Sequence, residues 1–176
     1  MIRSIARRLI RGLRGFVSEP IEQASIPGYV NLNACAAVIV RYRRLGARIG
    51  EGVRLFGEID SVNPHLISIG DHSVIGRNSI LLAHCPIKGP RGVTVGRFVY
   101  MGFGAIILPG VTLGDHCVVG AGAVVTKSAP SESILVGNPA RILRSLTVAE
   151  KKGLVDALTE GRAVGWDPVR PGVVKN

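Results

Sequence analysis

Aliphatic residues recur at every sixth position through the middle of the chain, and a glycine or another small residue usually follows each one. The series, interrupted once, consists of Ile69, Ile75, Leu81, Ile87, Val95, Met101, Ile107, Leu113, Val119 and Val125. An amphipathic helix repeats at about 3.6 residues and a strand at about 2, so neither explains this period. A six-residue period is typical of a parallel β-helix, in which three short strands form each coil around a narrow core. The pattern therefore predicts a β-solenoid.

Two helical patterns precede the solenoid. Residues 2–17 place five apolar side chains on one side of a helix and arginines on another. This amphipathic helix fits either of two roles, lying on a lipid surface or capping the open end of the coil. A second helix is predicted over residues 31–45, and Gly46 ends it.

A third helical pattern follows the solenoid, over residues 147–160. Thr147 and Glu150 have the spacing of a capping box, in which each side chain bonds to the backbone N–H group of the other residue. A closing helix is expected here, because the end of a solenoid exposes apolar core and unpaired strand edges. The chain is thus predicted to consist of a basic helical segment at 1–48, a β-helix domain at 49–145, and a C-terminal helix and tail at 146–176.

The six-residue period is interrupted between Ile87 and Val95, which lie eight residues apart. We expect two extra residues within 88–92 to leave the coil as a small loop, because interruptions of a repeat are loops that often carry function. His84 stands directly before this loop. Residues 58–66 also fail to follow the period and are expected to form a loop.

His84 is the candidate catalytic residue, because an imidazole can take a proton from an attacking hydroxyl group. Counting three members of the period per turn predicts Gly104 and Gly122 above His84. A column of glycines above an imidazole predicts a groove along the coil. The same count places His72 and His116 on the other two sides of the coil, and histidines spread in this way do not predict a metal site.

Positive charge is concentrated in the N-terminal part of the chain. Residues 1–48 hold nine arginines against two glutamates, within a total net charge of +10. Basic residues are not interleaved with stacking aromatics, which make up only 5% of the chain, so no nucleic-acid partner is expected. An anionic membrane surface or an anionic small ligand fits the charge better.

The cysteine count indicates a reducing compartment. Three cysteines, an odd number without the spacing of a metal site, predict reduced thiols and a cytoplasmic protein. We find no run of about 18 apolar residues that would span a membrane and no clean secretory signal. The basic N-terminus is expected to allow peripheral contact with the inner face of the membrane.

A long string of the repeat resembles a known family. Residues 93–127, VTVGRFVYMGFGAIILPGVTLGDHCVVGAGAVVTK, and residues 136–144, VGNPARILR, resemble the hexapeptide-repeat acyltransferases. The similarity is to the branch that contains maltose, galactoside and polysaccharide O-acetyltransferases. It implies a left-handed β-helix, a homotrimer, and acetyl-CoA bound between neighbouring subunits as the acyl donor. No metal is expected.

The resemblance also implies roles for individual residues, with His84 matching the catalytic histidine. The residues that match contacts to the acyl donor are Gly102, Phe103, Ala121, Thr126, Lys127, Arg141 and Arg144. The residues expected to contact the acceptor, from the turn below His84, are Asp60, Asn63 and His65. A carboxylate that orients His84 is expected as well, and the alternatives are Glu58, Asp60 and Asp71.

These observations favour an acetyl-CoA-dependent O-acetyltransferase that acts on a hydroxyl group of a sugar or glycan precursor. His84 would deprotonate the hydroxyl, which attacks the thioester directly, and N–H groups from Gly102 to Gly104 would hold the oxyanion. The alternatives are N-acetylation of an amino sugar, O-acetylation of serine and, in a different class, a non-catalytic β-helix scaffold. The loop after His84 is shorter than in the sugar acetyltransferases, so the resemblance does not identify the acceptor.

Overall fold

Short parallel strands wind around a triangular core in the structure, a computed structural model that describes residues 32–160, with side chains from residue 35 onward. The strands are β1 (Arg48–Ile49), β2 (Arg54–Leu55), β3 (Glu58–Ile59), β4 (Ile67–Ile69), β5 (Val74–Ile75), β6 (Ile80–Leu81), β7 (Val93–Val95), β8 (Tyr100–Met101), β9 (Ile106–Ile107), β10 (Thr112–Leu113), β11 (Val118–Val119), β12 (Val124–Val125), β13 (Ser133–Val136) and β14 (Arg141–Ser145). The predicted helix 2–17 and the end of the tail lie outside the described residues.

Every third strand joins the same sheet, which gives the coil three faces. Face A contains β1, β4, β7 and β10, face B contains β2, β5, β8, β11, β13 and β14, and face C contains β3, β6, β9 and β12. All neighbouring strands are parallel except β13 and β14, which form an antiparallel pair at one end of face B. We call the turns from A to B, from B to C and from C to A the first, second and third corners.

The six-residue period forms the core, with one exception. Nine of its ten members are at most 2% exposed, whereas Ile87 is 90% exposed. The prediction that Ile87 belongs to the coil is therefore wrong. The chain leaves the coil after β6 and returns only at β7, in a loop closed by the N–H of Arg91, which donates to the Ala83 carbonyl at 2.8 Å. Pro86 and Pro90 explain the larger loop, because neither has an N–H group to donate to a strand ladder.

This larger loop changes the vertical register of the coil. Leu81 pairs with Ile107, whereas Met101 pairs with Ile75 on the neighbouring face. The six-residue count predicts that Leu81 and Met101 lie on the same face in successive turns. The structure places them on neighbouring faces, so this prediction is wrong by one face.

The first coil is also shorter than the sequence predicts. Glu58 and Ile59 form a strand that pairs with Ile80 and Leu81, so the predicted loop over 58–66 is wrong at its start. Leu55 and Ile59 are four residues apart instead of six, and Gly57 makes the tight turn between them. A Cβ atom at Gly57 would lie 2.4 Å from the Ser79 carbonyl oxygen, so only glycine fits this close approach.

Two helices form at the predicted places in the sequence. Helix α1 (Leu32–Arg44) places Ile39 and Tyr42 against the core, and the Tyr42 hydroxyl donates to the Ile59 carbonyl at 3.3 Å. Helix α2 (Val148–Thr159) begins with the predicted capping box, but its buried leucines, Leu154 and Leu158, pack on the outside of face B and not over the end of the coil as expected. No helix among residues 32–160 has the length and hydrophobicity needed to span a membrane.

The outer surfaces of the three faces differ in chemistry. Face B is covered by α2. The middle side chains of face A are largely polar and paired in register, namely Arg48, Ser68, Thr94 and Thr112. Three of the four outward side chains of face C are half-buried and apolar, namely Ile80, Ile106 and Val124, and the fourth, Glu58, is exposed. Face C therefore presents apolar side chains that no described element covers.

Candidate functional site

The third corner brings an imidazole against a buried carboxylate. His84 Nδ1 lies 2.5 Å from Asp60 Oδ2, which is a short and charge-assisted contact. The Asp60 side chain is 0% exposed, whereas the His84 side chain is 51% exposed. The ring of His84 is thus fixed from inside the coil at one nitrogen and open to solvent over about half of its surface.

Backbone donors hold the Asp60 carboxylate in its ionised form. Oδ2 also accepts the N–H of Ala83 at 2.8 Å, and Oδ1 accepts the N–H groups of Val62 at 2.8 Å and Asn63 at 2.9 Å. Burial opposes ionisation, but the hydrogen bonds from Asn63, His84, Ala83 and Val62 outweigh it and lower the pKa of Asp60 to about 2. Because an ionised carboxylate only accepts, Nδ1 carries a proton and Nε2 is left as the proton acceptor of the ring.

Asp60 is therefore the carboxylate that orients His84 among the three predicted alternatives. Asp71 Oδ1 instead accepts the Glu51 N–H at 2.8 Å near the first corner, and Glu58 is exposed on β3. As a predicted acceptor contact, Asp60 is poorly placed, because both of its oxygens are buried and bonded within the chain.

The other two predicted acceptor residues lie in the turn that follows Asp60. Asn63 is half-buried beside the carboxylate to which its N–H donates. His65 is exposed in a short 3-10 helix, Pro64–Leu66, with its Cβ close to the end of α1 at Gly46. The structure thus brings Asn63 nearer than His65 to the His84–Asp60 pair in the hydrogen-bond network.

The predicted glycine column lies at a different corner from His84. Gly104 and Gly122 occupy the second corner with positive φ angles of 67° and 66°, and Asn78 continues the column with φ of 56°. A Cβ atom at Gly104 or at Gly122 would meet nothing within 4 Å, so this corner is open to its surroundings. The predicted groove between these glycines and His84 of the same chain is wrong, because the loop after β6 shifts the register by one face.

The second corner has backbone N–H groups that the coil does not use. The N–H of Gly102 donates to Val119 at 2.8 Å and that of Gly104 to Arg77 at 2.9 Å, so these two are not free to hold an oxyanion as predicted. Between residues 32 and 160 the structure forms no hydrogen bond to the N–H groups of Phe103 and Ala121. The second corner therefore presents donors to whatever lies against it.

The first corner is built differently at the corresponding positions. There, side chains of the next coil accept such N–H groups, as Asp115 does for Arg97 and Ser131 for Asp115, at 2.8 and 3.1 Å. Three of the four equivalent N–H groups at the first corner, those of Glu51, Arg97 and Asp115, are thus accepted by side chains, whereas side chains accept neither Phe103 nor Ala121 at the second corner.

The remaining predicted donor contacts lie on two other parts of the coil. Thr126 and Lys127 are exposed at the third corner, two coils beyond Ala83. Arg141 and Arg144 are exposed on β14, and Arg144 makes two bonds of 2.7 and 2.8 Å to Glu150. In the described part of the chain, no hydrogen bond or ion pair joins Lys127, Arg141 or Arg144 to His84.

His72 and His116 occupy one corner, which contradicts their predicted separation. Both lie at the first corner, with the ring of Phe98 stacked between them at centroid distances of 5.2 and 5.4 Å. The register shift again explains the error. Within the described part of the chain, no three His, Cys, Asp or Glu residues come together in a group that could hold a metal ion.

Comparison with known proteins agrees with this architecture. Residues 92–127 match the family described as bacterial transferase hexapeptide (six repeats), and residues 66–99 match the hexapeptide repeat of succinyl-transferase. Residues 66–127 thus carry hexapeptide repeats of the kind found in these transferases. The predicted resemblance to the hexapeptide-repeat acyltransferases is thereby confirmed.

Individual relatives of this hexapeptide-repeat chain are acetyltransferases by name. A putative acetyltransferase of Schizosaccharomyces pombe is 52% identical over 91 residues, which cover 46% of this chain and 44% of that protein. The galactoside O-acetyltransferase of Escherichia coli is 41% identical over 100 residues, covering 51% of this chain and 49% of that protein. The chain thus spans about half the length of these curated relatives.

A solved structure gives the same fold. The galactoside acetyltransferase in complex with coenzyme A superposes with a TM-score of 0.53 at 23% identity, covering 70% of this chain and 76% of that one. Together with the parallel sheets and helix α2, this likeness confirms the predicted left-handed β-helix with a short C-terminal helix.

Proposed function

We propose that this hexapeptide-repeat chain is an acetyl-CoA-dependent O-acetyltransferase in which His84 is the general base. The supporting observation is the half-exposed imidazole of His84, bonded through Nδ1 to the buried and ionised Asp60. Such a pair fixes the direction of the ring and, in the neutral imidazole, leaves the lone pair on Nε2, which is what proton abstraction from a hydroxyl group requires. The acetyltransferase names of the relatives support the same reaction class.

In the proposed reaction, Nε2 of His84 takes the proton of the acceptor hydroxyl as its oxygen attacks the thioester carbonyl carbon. The tetrahedral oxyanion then collapses, the carbon–sulfur bond breaks, and the sulfur takes the proton from the imidazolium. The products are an acetyl ester and free CoA thiol, so the base returns to its starting state. Asp60 stabilises the imidazolium between these two proton transfers, because its carboxylate stays ionised.

The two parts of the proposed site lie at opposite edges of face C. His84 is at the third corner and the free N–H groups of Phe103 and Ala121 are at the second. We infer that a homotrimer joins them, with the third corner of one copy facing the second corner of the next. The uncovered apolar side chains of face C, Ile80, Ile106 and Val124, support burial in such an assembly.

The donor would bind along the second corner of the neighbouring copy. The N–H groups of Phe103 and Ala121 suit the amide carbonyls of the pantetheine arm, and the open Cβ-free positions Gly104 and Gly122 let it approach. Gly102 is buried, and a Cβ atom there would lie 2.7 Å from the backbone nitrogen of Ala121, so it contributes to the stacking of the coils instead. The nucleotide phosphates of CoA would meet the cationic side chains of Lys127, Arg141 and Arg144. The hydroxyl of Thr126 would donate to them as well. The CoA bound to the galactoside acetyltransferase of the same fold supports this choice of donor.

The acceptor is proposed to be a sugar or glycan hydroxyl, as for the galactoside O-acetyltransferase relative. Asn63 is the residue best placed to contact it, with His65 farther away. Release of CoA thiol from acetyl-CoA should require a sugar with a free hydroxyl in a panel of sugars, amino sugars and serine. Release of CoA thiol with serine, or acetylation of an amino sugar at its amine, would contradict the proposed acceptor. If no compound leads to release of CoA thiol, a non-catalytic scaffold would be favoured.

The location of the enzyme is a separate proposal. We propose a cytoplasmic protein whose basic N-terminus contacts the inner membrane face, because nine of the first 48 residues are arginine. Flotation with anionic vesicles should capture the full chain but not a variant that lacks residues 1–17. Equal capture of both would contradict this role of the N-terminus.

Replacement of Asp60 by asparagine is expected to lower kcat by about one to two orders of magnitude and to leave the affinity for CoA unchanged. The amide keeps the approximate shape of the side chain but has no charge to stabilise the imidazolium that forms during proton transfer, so the chemical step should slow while donor binding stays the same. Circular dichroism checks the fold, because the single amide oxygen of the new side chain cannot accept all three backbone N–H groups. A lower kcat that is accompanied by an equal loss of CoA affinity or by a changed circular dichroism spectrum would indicate a merely structural role for Asp60.

A further inference from the structure

A groove lined by three arginines lies on face A, away from His84. It runs beside the end of α1 and has a volume of about 530 Å³. Its walls contain the side chains of Arg43, Arg48 and Arg97 together with Ser68 and Asp71. The carboxylate of Asp71 lines the same groove, and the carboxylates of Glu51 and Asp115 form ion pairs with Arg43 and Arg97 at 3.3 and 2.9 Å, which leaves Arg48 as the arginine without a carboxylate partner.

Two of these arginines are held in place by the coil itself. Arg43 Nε and Nη2 donate to the Ile49 carbonyl at 2.9 and 2.7 Å, and Nη2 also donates to the Gly50 carbonyl at 2.8 Å. Arg97 donates through Nε and Nη2 to Asp115 at 3.2 and 2.9 Å. In both side chains Nη1 makes no bond to a described residue. The positions of these guanidinium groups are therefore fixed while one nitrogen of each is left to bind a ligand.

Arg48 is the unpaired member of the group. Its side chain is exposed on β1, and it forms no hydrogen bond or ion pair with any residue from 32 to 160. It stands in register with Ser68 on β4, so a fork of guanidinium donors and a hydroxyl donor project from the same face of the sheet. The adjoining glycines, Gly50 and Gly70, leave the floor of the groove without side chains.

We propose that this groove binds the phosphate group of a phosphate ester. Arginine guanidinium presents paired N–H donors that match phosphate oxygens, and Ser68 adds a neutral donor beside them. The carboxylate of Asp71 can accept a hydrogen bond from a hydroxyl of the ligand but repels a second anionic group. The groove therefore favours a phosphate ester of a polyol over a ligand with two carboxylates. A lipid headgroup and a soluble polyol phosphate share this chemistry. The site is independent of acetyl transfer, because it lies at the first-corner side of face A and His84 lies at the third corner.

Titration of the full chain with inorganic phosphate and with glycerol 1-phosphate, at constant ionic strength, tests the proposal. Calorimetry should show saturable binding to the wild type, and the arginine Nε–H signals of Arg48 and Arg97 should shift in nuclear magnetic resonance spectra. Arg48→Gln should weaken binding by about tenfold or more, since it removes a charged fork. Arg41→Gln, at an exposed position of α1 outside the groove, is the matched control and should bind like the wild type.

Vesicles of phosphatidylglycerol and of phosphatidylcholine distinguish the two sources of the phosphate. Loss of phosphatidylglycerol binding in Arg48→Gln but not in Arg41→Gln would assign the groove to a lipid headgroup. Specific loss of glycerol 1-phosphate binding with unchanged vesicle binding would assign it to a soluble ester. Equal effects of Arg48→Gln and Arg41→Gln on phosphate, glycerol 1-phosphate and vesicle binding would overturn the proposal. The absence of saturable phosphate binding, together with unshifted arginine signals, would overturn it as well. Arg48→Lys, which keeps the charge without the fork, replaces Arg48→Gln if that variant does not fold.

Discussion

Replacement of His84 by alanine is expected to lower kcat for acetyl transfer by about a thousandfold. In the proposed mechanism, Nε2 of His84 accepts the proton of the acceptor and is oriented through Nδ1 and the buried Asp60. General-base catalysis is worth about 10²–10⁴ in rate. The affinity for CoA should stay within about twofold, because the proposed donor contacts lie at the second corner, on β14, and at the third corner two coils beyond His84. Steady-state kinetics with acetyl-CoA and calorimetry with CoA measure the two quantities.

Two control variants make the His84 result specific. His116→Ala removes an imidazole that stacks on Phe98 at the first corner, and its kcat should be within about twofold of the wild type. Cys85→Ala removes the thiol next to His84 and should also leave kcat unchanged, since direct attack on the thioester needs no acyl-cysteine. A loss of turnover in Cys85→Ala equal to that in His84→Ala would instead indicate a covalent mechanism. Full turnover in His84→Ala would refute the proposed base.

Replacement of Ile107 by alanine is expected to destabilise the fold by about 2–5 kcal/mol, whereas the same change at Ile87 should cost less than about 0.5 kcal/mol. Ile107 is 0% exposed between Leu81 and Val125 of adjacent coils, so its truncation leaves a cavity that the stacked strands cannot close. Ile87 lies in the loop and loses almost no buried area. Chemical unfolding monitored by circular dichroism gives both values.

This pair of isoleucine variants tests the register directly. The six-residue period assigns Ile87 and Ile107 the same place in the core, while the structure separates them. Comparable destabilisation by both substitutions would contradict the long loop after β6. The measurement should be made at a single protein concentration, because association of copies shifts the apparent free energy of unfolding.

The core of the fold could be predicted from sequence because its determinants are local and repeated. Nine period members fall on the inside of the coil, since six residues advance the chain by one face whatever their neighbours are. The capping box of α2 was equally predictable, because Thr147 and Glu150 bond to each other within one turn.

The vertical register could not be predicted in the same way, because it depends on where the chain leaves the coil. Ile87 satisfies the period in composition and yet is exposed, so hydrophobicity alone gave the wrong count. The available signal was proline: Pro86 and Pro90 lie on either side of Ile87, and neither can continue a ladder. When Ile87 is counted as part of the coil, every residue after it is assigned to the wrong face. This error explains the predicted glycines above His84 and the predicted separation of His72 from His116.

His84 itself was predictable as a lone imidazole before a loop, but its partner was not. Asp60 reaches it only because the first coil is shortened between Leu55 and Ile59, which moves the residue after β3 beneath the end of β6. A strict six-residue count does not favour Asp60 over Glu58 or Asp71 as the carboxylate that orients His84. The free N–H groups at the second corner were also invisible, because they follow from the absence of acceptor side chains in the adjacent coil.

The separation of His84 from the glycine corner by the full width of face C has a consequence for genetics. Under the proposed assembly, each reaction centre draws its base from one polypeptide and its donor channel from another. A copy defective only in the base and a copy defective only in the channel would then form some intact centres when expressed together. Two null alleles of this kind would complement each other, whereas two alleles that both alter His84 would not.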